Sequence, residues 1–268
     1  MKRIRTISMI LLAIVIVTSL AADILAPAPY AKQFREAPNS PPTRTHLLGT
    51  DALGRDRLAR ILYGTRVSLL LAPAAALIST VLAASIGALA GFVGGRCQKL
   101  AMAVTDLFLS LPWLFLLITV RALLPLNVSP ETSVVVTFAL LGVLGWAASA
   151  RVVCAGAAAI RESEWVLQAR ACGLSGARLL LRHIVPHLKP LLMAQFWVSI
   201  PVFILAEANL GILGLGVAEP LPSWGSLLGE LNDFVSLSGE PWKFVPLLLL
   251  FLVVTSFQML LSRNEVTV

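Results

Sequence analysis

The sequence predicts an all-α, polytopic membrane protein with six transmembrane helices, and three observations predict it. Of 268 residues, 57% are hydrophobic and 13% charged, with a mean hydropathy of +0.86. Soluble domains carry about 25% charged and about 45–50% apolar residues. The apolar residues gather in runs close to the ~20 residues that one helix needs to cross hydrocarbon. Between two of these runs lie Arg151, Arg161, Arg170, Arg178, Arg182 and Lys189, with only Glu162 and Glu164 as nearby acids. Such an excess beside membrane-length segments marks a cytoplasmic loop.

The chain has a formal net charge of +7 and a pI near 9.9. Its bases flank apolar spans instead of forming one basic face, which argues against a nucleic-acid partner. Cys97, Cys154 and Cys172 form neither a CxxC pair nor an even disulfide framework, and all three fall on the predicted cytoplasmic side.

In chain order, Lys2-Arg3-Ile4-Arg5 precedes an apolar run from Ile7 to about Leu25. Its core exceeds the ~7–15 residues of a signal-peptide core, so a retained anchor over residues 1–26 is favoured over a cleaved leader. Residues 27–66 are polar and turn-rich, an expected extracytoplasmic loop. That loop carries Lys32, Arg35, Arg44, Arg55, Arg57, Arg60 and Arg66, against the charge bias expected of an external segment. A five-helix core over 67–262 follows. Val67–Val93 runs inward and holds Ala83, Ala84, Ser85, Gly87, Ala88 and Gly91, small residues that let helices approach closely in lipid. Gly94–Lys99 is a basic inner turn. Leu100–Leu124 runs outward with a kink at Pro112, and Thr132–Ala150 returns to Arg151. After a cytoplasmic loop over 152–190, Leu191–Leu213 runs outward. An extracytoplasmic loop over 216–243 precedes the inward span Phe244–Leu261, closed by Arg263. Both termini are then cytoplasmic.

Within the basic loop, Trp165, Ala169 and Cys172 recur at i, i+4 and i+7, the spacing of one apolar stripe on a short helix. Gly173 ends that helix in the left-handed conformation of a C-cap. Ser175 caps a second helix through Leu179–Ile184, before Pro186 and Pro190 interrupt the backbone. The predicted product is a compact helix–turn–helix knob. His183 and His187 have the i, i+4 spacing of a zinc pair, but Pro186 lies between them and no third ligand is at hand; loop packing accounts for both.

Ionisable groups within membrane spans are costly and default to functional candidates. Asp106, early in its predicted span, is read as structural. Arg121 lies near the outer end of the same span and is expected to snorkel outward. Glu207, followed by Asn209, either lines a pathway or hydrogen-bonds a loop near the outer interface. In the first loop, a metal at Asp51 and Asp56 is the lesser reading, because Arg55 and Arg57 can satisfy both carboxylates.

Three motifs resemble those of one family. The segment Glu164-Trp165-Val166, Ala169-Arg170-Ala171, Gly173-Leu174-Ser175, Arg182-His183-Ile184 and Pro186 resembles the EAA loop of permease subunits in bacterial ABC importers. The stretches Leu48–Asp56 and Ile61–Leu69 resemble a GTDxxGRD…YGxRxSL signature. Ala206–Val217, continued by Pro220–Gly225, resembles AExxLxFLGLGV…PxPSWG, with Ile212 in place of the usual Phe. Together these are similar to the second permease of oligopeptide, dipeptide and nickel importers, from about Leu47 to about Leu261. Leu167-Gln168-Ala169 stands where the family often has Glu-Ala-Ala, and the chain stops at Ser262–Val268 without the family's Arg-Asp-rich tail.

The resemblance implies the binding-protein-dependent permease fold in the bacterial inner membrane. It also implies a related partner permease, two cytoplasmic ATPase subunits and an extracytoplasmic substrate-binding protein. Glu164, Trp165, Ala169, Arg170, Ala171, Gly173, Leu174, Ser175, His183 and Pro186 would couple to the ATPase. Asp106, Glu207 and Asn209 are the pathway candidates. No GxxxxGK[ST] phosphate loop, GxSxG elbow or HExxH helix occurs in the chain, so ATP would be held by partners and no cofactor or metal by this subunit. Di- or oligopeptide is the expected solute, with nickel or another small solute as the alternative. A motor-independent transporter or channel, and a membrane enzyme using Asp106 and Glu207, are the rivals from other classes.

Overall fold

The structure, a computed structural model, describes residues 2–125, 128–232 and 240–261. Helices dominate these residues: α1 (Lys2–Leu20), α2 (Ala22–Leu25), α3 (Arg57–Val93), α4 (Gly95–Ser110), α5 (Trp113–Leu123), α6 (Pro130–Leu144), α7 (Ala147–Arg161), α8 (Glu164–Ala171), α9 (Gly176–Leu179), α10 (Val185–Ile212), α11 (Trp224–Gly229) and α12 (Val245–Leu261). Five stretches are long and apolar enough to cross a membrane: Arg3–Leu20, Arg57–Val93, Pro130–Arg161, Gly176–Ile212 and Pro241–Leu261. The pair α4–α5 makes a sixth if taken as one broken span.

That sixth span departs from expectation. Instead of one helix kinked at Pro112, α4 and α5 meet at 81° across Leu111-Pro112. Leu111 is extended (φ −86°, ψ 136°), the conformation that a following proline imposes on its predecessor. Asp106 consequently lies in the C-terminal half of α4 instead of early in a long helix. The second span also differs: α3 begins at Arg57, ten residues before Val67, because Asp56 caps it by accepting the Ala59 N–H at 2.8 Å. The Tyr63–Leu69 part of the motif is therefore helical. The predicted Arg263 closure and the tail Ser262–Val268 lie outside the described residues.

The chain divides into two compact units. One comprises Met1–Ala72, Arg121–Phe138 and Pro201–Val268; the other, Pro73–Val120 and Ala139–Ile200. In the first, α1 packs against α12. Ser8, Leu12, Val15 and Ser19 form the buried stripe of α1, and Pro246, Leu250, Val253 and Phe257 that of α12. Both repeat at the three- and four-residue spacing of a helix face. Asp23 then accepts hydrogen bonds from Tyr63 Oη at 2.7 Å and Arg66 Nη1 at 2.8 Å, tying α2 to the start of α3.

In the second unit, α3 and α7 approach closely where Gly87 and Gly91 face the backbone of Ala150 and Cys154. A Cβ on either glycine would lie 2.5 or 2.4 Å from a carbonyl oxygen, so the small-residue face has the role its composition predicts. Ala83, Trp146, Ala147 and Ala150 form one core cluster. Ala88, Val153, Ala157, Ile184 and Leu188 form another beneath the knob.

Candidate functional site

Two of the sequence motifs, about 150 positions apart in the chain, fold into one site in the first unit. The loop motif builds its own frame first. Gly49 and Gly54 take positive φ, the conformation of tight turns. Asp51 Oδ1 accepts the N–H groups of Leu53 at 2.9 Å and Arg55 at 2.8 Å, and Oδ2 accepts Arg55 Nε at 2.6 Å. Asp56 turns elsewhere. Its second oxygen meets His46 Nδ1 at 2.8 Å, so histidine and the helix cap satisfy it, and Arg57 does not.

The freed Arg57 reaches Thr50 O at 3.0 Å and pairs with Glu230. Arg60, 0% exposed, takes Glu219 through Nη2 at 2.9 Å and Nη1 at 3.2 Å, and Arg55 also pairs with Glu219. Burial by itself would push the Glu219 carboxyl up; the Arg60 and Arg55 guanidiniums outweigh it and hold the group below the usual carboxylate range. Arginine suits this cluster because its forked donors meet carboxylates in two directions and it stays charged when buried. Sequence reasoning missed Glu219 and Glu230, since a pair separated by 159 or 173 positions leaves no local pattern.

Beside the cluster, Trp224–Gly229 forms the short helix α11. Ser223 and Ser226 cap it reciprocally, through Ser226 N to Ser223 Oγ at 3.2 Å and Ser223 N to Ser226 Oγ at 2.9 Å. Trp224 is fully buried; its indole Nε1 donates to Thr65 Oγ1 at 2.9 Å and its backbone N to Ser68 Oγ at 3.2 Å. Ser68 in turn donates to Glu207 Oε2 at 3.2 Å, which also accepts Gly225 N at 3.4 Å. The backbones of α10 and α11 nearly touch here: a Cβ on Gly211 would lie 2.2 Å from Gly225 Cα. Only glycine fits on either side.

Glu207 is thus fully buried and bonded to α3 and α11. Asn209 is exposed, its amide donating back to Leu205 O at 2.8 Å. Asp106 pairs with Arg151 across α4 and α7, with both side chains 54% exposed. Arg121 does not snorkel. It is 1% exposed and donates to Ser133 Oγ at 3.2 Å and Gly216 O at 3.5 Å, because the turn after α10 folds over it.

The knob in the second unit has a sharper geometry than the sequence showed. At the end of α8, Gly173 N donates to Arg170 O at 3.0 Å and Leu174 N to Ala169 O at 3.3 Å, the paired bonds of a Schellman cap. Gly173 holds φ at +80° with open space around it. The predicted stripe is not buried: Val166 is the buried residue of α8, while Trp165 is 37% exposed and Cys172 is exposed. Trp165 instead covers the histidines, with ring centroids 4.5 Å from His187 and 6.2 Å from His183. Glu164, Arg170, Ala171 and Ser175 are exposed, and the Arg170 guanidinium lies 6.0 Å from the Phe92 ring centroid. Ser175 stands at the N-cap of α9 in extended geometry, without a side-chain capping bond.

Pro186 and Pro190 do not interrupt the chain. A π turn over Leu180–Ile184 joins α9 to α10, and the helix continues to Ile212. Pro186 falls in the first turn of α10, and π bulges of this kind occur as local widenings inside α-helices, so the ladder absorbs the missing N–H without breaking. The knob is therefore attached to a span without a joint.

Comparison with known proteins agrees with this architecture. Residues 83–264 match the family model for the binding-protein-dependent transport system inner membrane component. The chain is 32% identical to the oligopeptide transport system permease protein OppC of Haemophilus influenzae over 240 residues, 89% of this chain and 75% of that one. It is 30% identical to the dipeptide transport system permease protein DppC of Bacillus subtilis over 251 residues, 93% and 76% respectively. It is also 32% identical to the glutathione transport system permease protein GsiD of Pectobacterium atrosepticum over 222 residues, 83% and 71%. These matches make this a multi-pass inner-membrane permease subunit of an ABC importer, a transmembrane component that carries no catalysis of its own. The chain belongs to the family of binding-protein-dependent transport system inner membrane components.

Proposed function

We propose that this subunit forms, with a related permease, the translocation path of an importer for di- and oligopeptides. The observation that carries the solute is the similarity, over most of the chain, to permeases named for oligopeptide and dipeptide transport. Two ATPase subunits would drive the complex and an extracytoplasmic binding protein would load it. Residues 1–26 serve as the anchor, 27–66 and 216–243 as extracytoplasmic loops, and 67–262 as the core with its coupling loop at 152–190; both termini face the cytoplasm.

The knob is the coupling element in this reading. Exposed Glu164, Arg170, Ala171 and Ser175 meet the ATPase, with Ala169 permitting close approach. Gly173 and Leu174 hold the turn, and Trp165, packed on His187 with His183 beside it, stiffens its base. Because Pro186 sits within a continuous helix, a push on the knob moves α10 as a lever. Of the pathway candidates, Asp106 and Asn209 present polar groups on exposed helix faces, while Glu207 acts by fixing α11.

The test is uptake in cells lacking their own peptide importers, which express this chain with its partner subunits and binding protein. Labelled Ala-Ala should accumulate, and excess unlabelled tripeptide should compete. Accumulation of nickel with no peptide uptake would replace the solute.

A further inference from the structure

Arg121 is held by the fold without being neutralised. Its Nη2 has two hydrogen-bond contacts, at 3.2 and 3.5 Å, while Nε and Nη1 are shielded from solvent and have no partner among the described residues. A guanidinium carries five donor hydrogens, so most of its capacity is unused. The side chain lines a cavity of about 280 Å³, walled also by Gly211, Gly214, Gly216, Glu219 and Ser226.

The neighbouring charges do not supply the missing partner. Glu219, the carboxylate in the wall, is committed to Arg55 and Arg60. Asp51 and Glu230 engage Arg55, Arg57 and Arg60. Three guanidiniums thus face three carboxylates in the adjoining cluster, and among the described residues these carboxylates leave Arg121 unpaired. Glu207 directs its hydrogen bonds to Ser68 and Gly225. Among the described residues, no carboxylate lies within 4.0 Å of the Arg121 nitrogens. A buried cation without a counter-charge is held at a cost that an arriving anion would relieve.

We propose that this cavity is a transient binding site for the carboxylate of a transported solute, with the Arg121 guanidinium supplying the counter-charge and charge-assisted hydrogen bonds. The site's existence rests on the geometry above; the identity of its ligand as a peptide C-terminus rests on the function proposed in the preceding subsection. Glu219 in the same wall opposes tight binding, as a transport path requires: a solute must be held well enough to enter and weakly enough to leave.

The experiment uses the permease–ATPase complex in nanodiscs of phosphatidylcholine, without its binding protein, and two probes: N-acetyl-dialanine and N-acetyl-dialanine amide. Saturation-transfer NMR should show saturable binding of the acid and at least tenfold weaker binding of the amide. Arg121→Gln should remove that preference, and Arg121→Lys should keep part of it. Equal binding of the two probes to the wild type overturns the proposal, and so does an unchanged preference in Arg121→Gln. If Arg121→Gln fails to assemble with the ATPase, the wild-type probe pair alone decides the matter. Displacement of the acid probe by phosphatidylglycerol in the disc would assign the cavity to lipid phosphate and overturn it as well. Peptide uptake by wild-type vesicles is scored separately. A carboxylate preference that depends on Arg121 but comes without peptide uptake refutes the solute, not the site; peptide uptake with no carboxylate preference refutes the site, not the solute.

Discussion

The Glu207 carboxylate and the Gly225 backbone are joined at 3.4 Å through Oε2 and the amide N–H, at a point where α10 and α11 leave no room for a side chain. A Cβ on Gly225 would meet Glu207 O at 2.7 Å and Gly211 Cα at 2.8 Å. Backbone cannot step aside as a flexible side chain does. Gly225→Val should therefore lift α11 from its seat and cost about 1–3 kcal/mol, read as a lower melting temperature of the purified complex. Glu207→Gln keeps an acceptor for Ser68 and should be nearly silent. Glu207→Leu leaves the Ser68 hydroxyl and Gly225 N–H unpaired, at about 1–3 kcal/mol for each buried group. A melting temperature unchanged in Gly225→Val would show that the contact is not maintained.

The arginine cluster makes stability depend on pH through Glu219. Its folded carboxyl lies below the ordinary value because Arg60 and Arg55 outweigh its burial. A depressed carboxylate contributes stability that is complete above its unfolded value, about 4.3, and is lost as pH falls through the folded value. Melting temperatures should fall more steeply with acidification in the wild type than in Glu219→Gln. Parallel curves would remove Glu219 from the account.

For the knob, Gly173 at φ +80° with nothing within 4 Å separates strain from crowding. Gly173→Val should cost about 1–2 kcal/mol through backbone conformation alone, while Gly173→Asn should be tolerated because asparagine accepts the left-handed region. The expected result is loss of ATPase co-purification and uptake in the valine variant and their retention in the asparagine variant. Leu167→Glu, at a side chain 50% exposed, should be accepted without loss. Wild-type uptake and ATPase binding in Gly173→Val would show that this turn does not couple.

The orientation is tested at Ser175, which is exposed at the N-cap of α9. In a background with the exposed Cys97 and Cys172 replaced by serine, Ser175→Cys should resist an impermeant maleimide in intact cells and react after permeabilisation. Ready labelling from outside would invert the topology.

Much of this protein was legible in its residues. The membrane class followed from run lengths of apolar side chains, because lipid imposes a length and a composition on any helix that crosses it. The C-cap at Gly173, the close helix face at Gly87 and Gly91, and the turns at Gly49 and Gly54 were local consequences of side-chain size and backbone freedom. Pro112 announced a disturbance, though not that α4 and α5 would meet at 81°.

What only the tertiary structure decided were the partners of buried charges and the continuity of helices. An excess of arginine in residues 27–66 looked like an exception to the charge bias. Arg55, Arg57 and Arg60 are instead buried opposite Asp51, Glu219 and Glu230, two of which arrive from the far end of the chain. Arg121 was expected to reach outward, yet the turn at Gly216 closes over it. Pro186 and Pro190 read as breaks until a π turn carried α9 into α10. For the arginine cluster the deciding term is the cost of an unpaired charge in a low-dielectric interior. That cost is set by which segments meet, and no local pattern of residues encodes the meeting of segments some 160 positions apart.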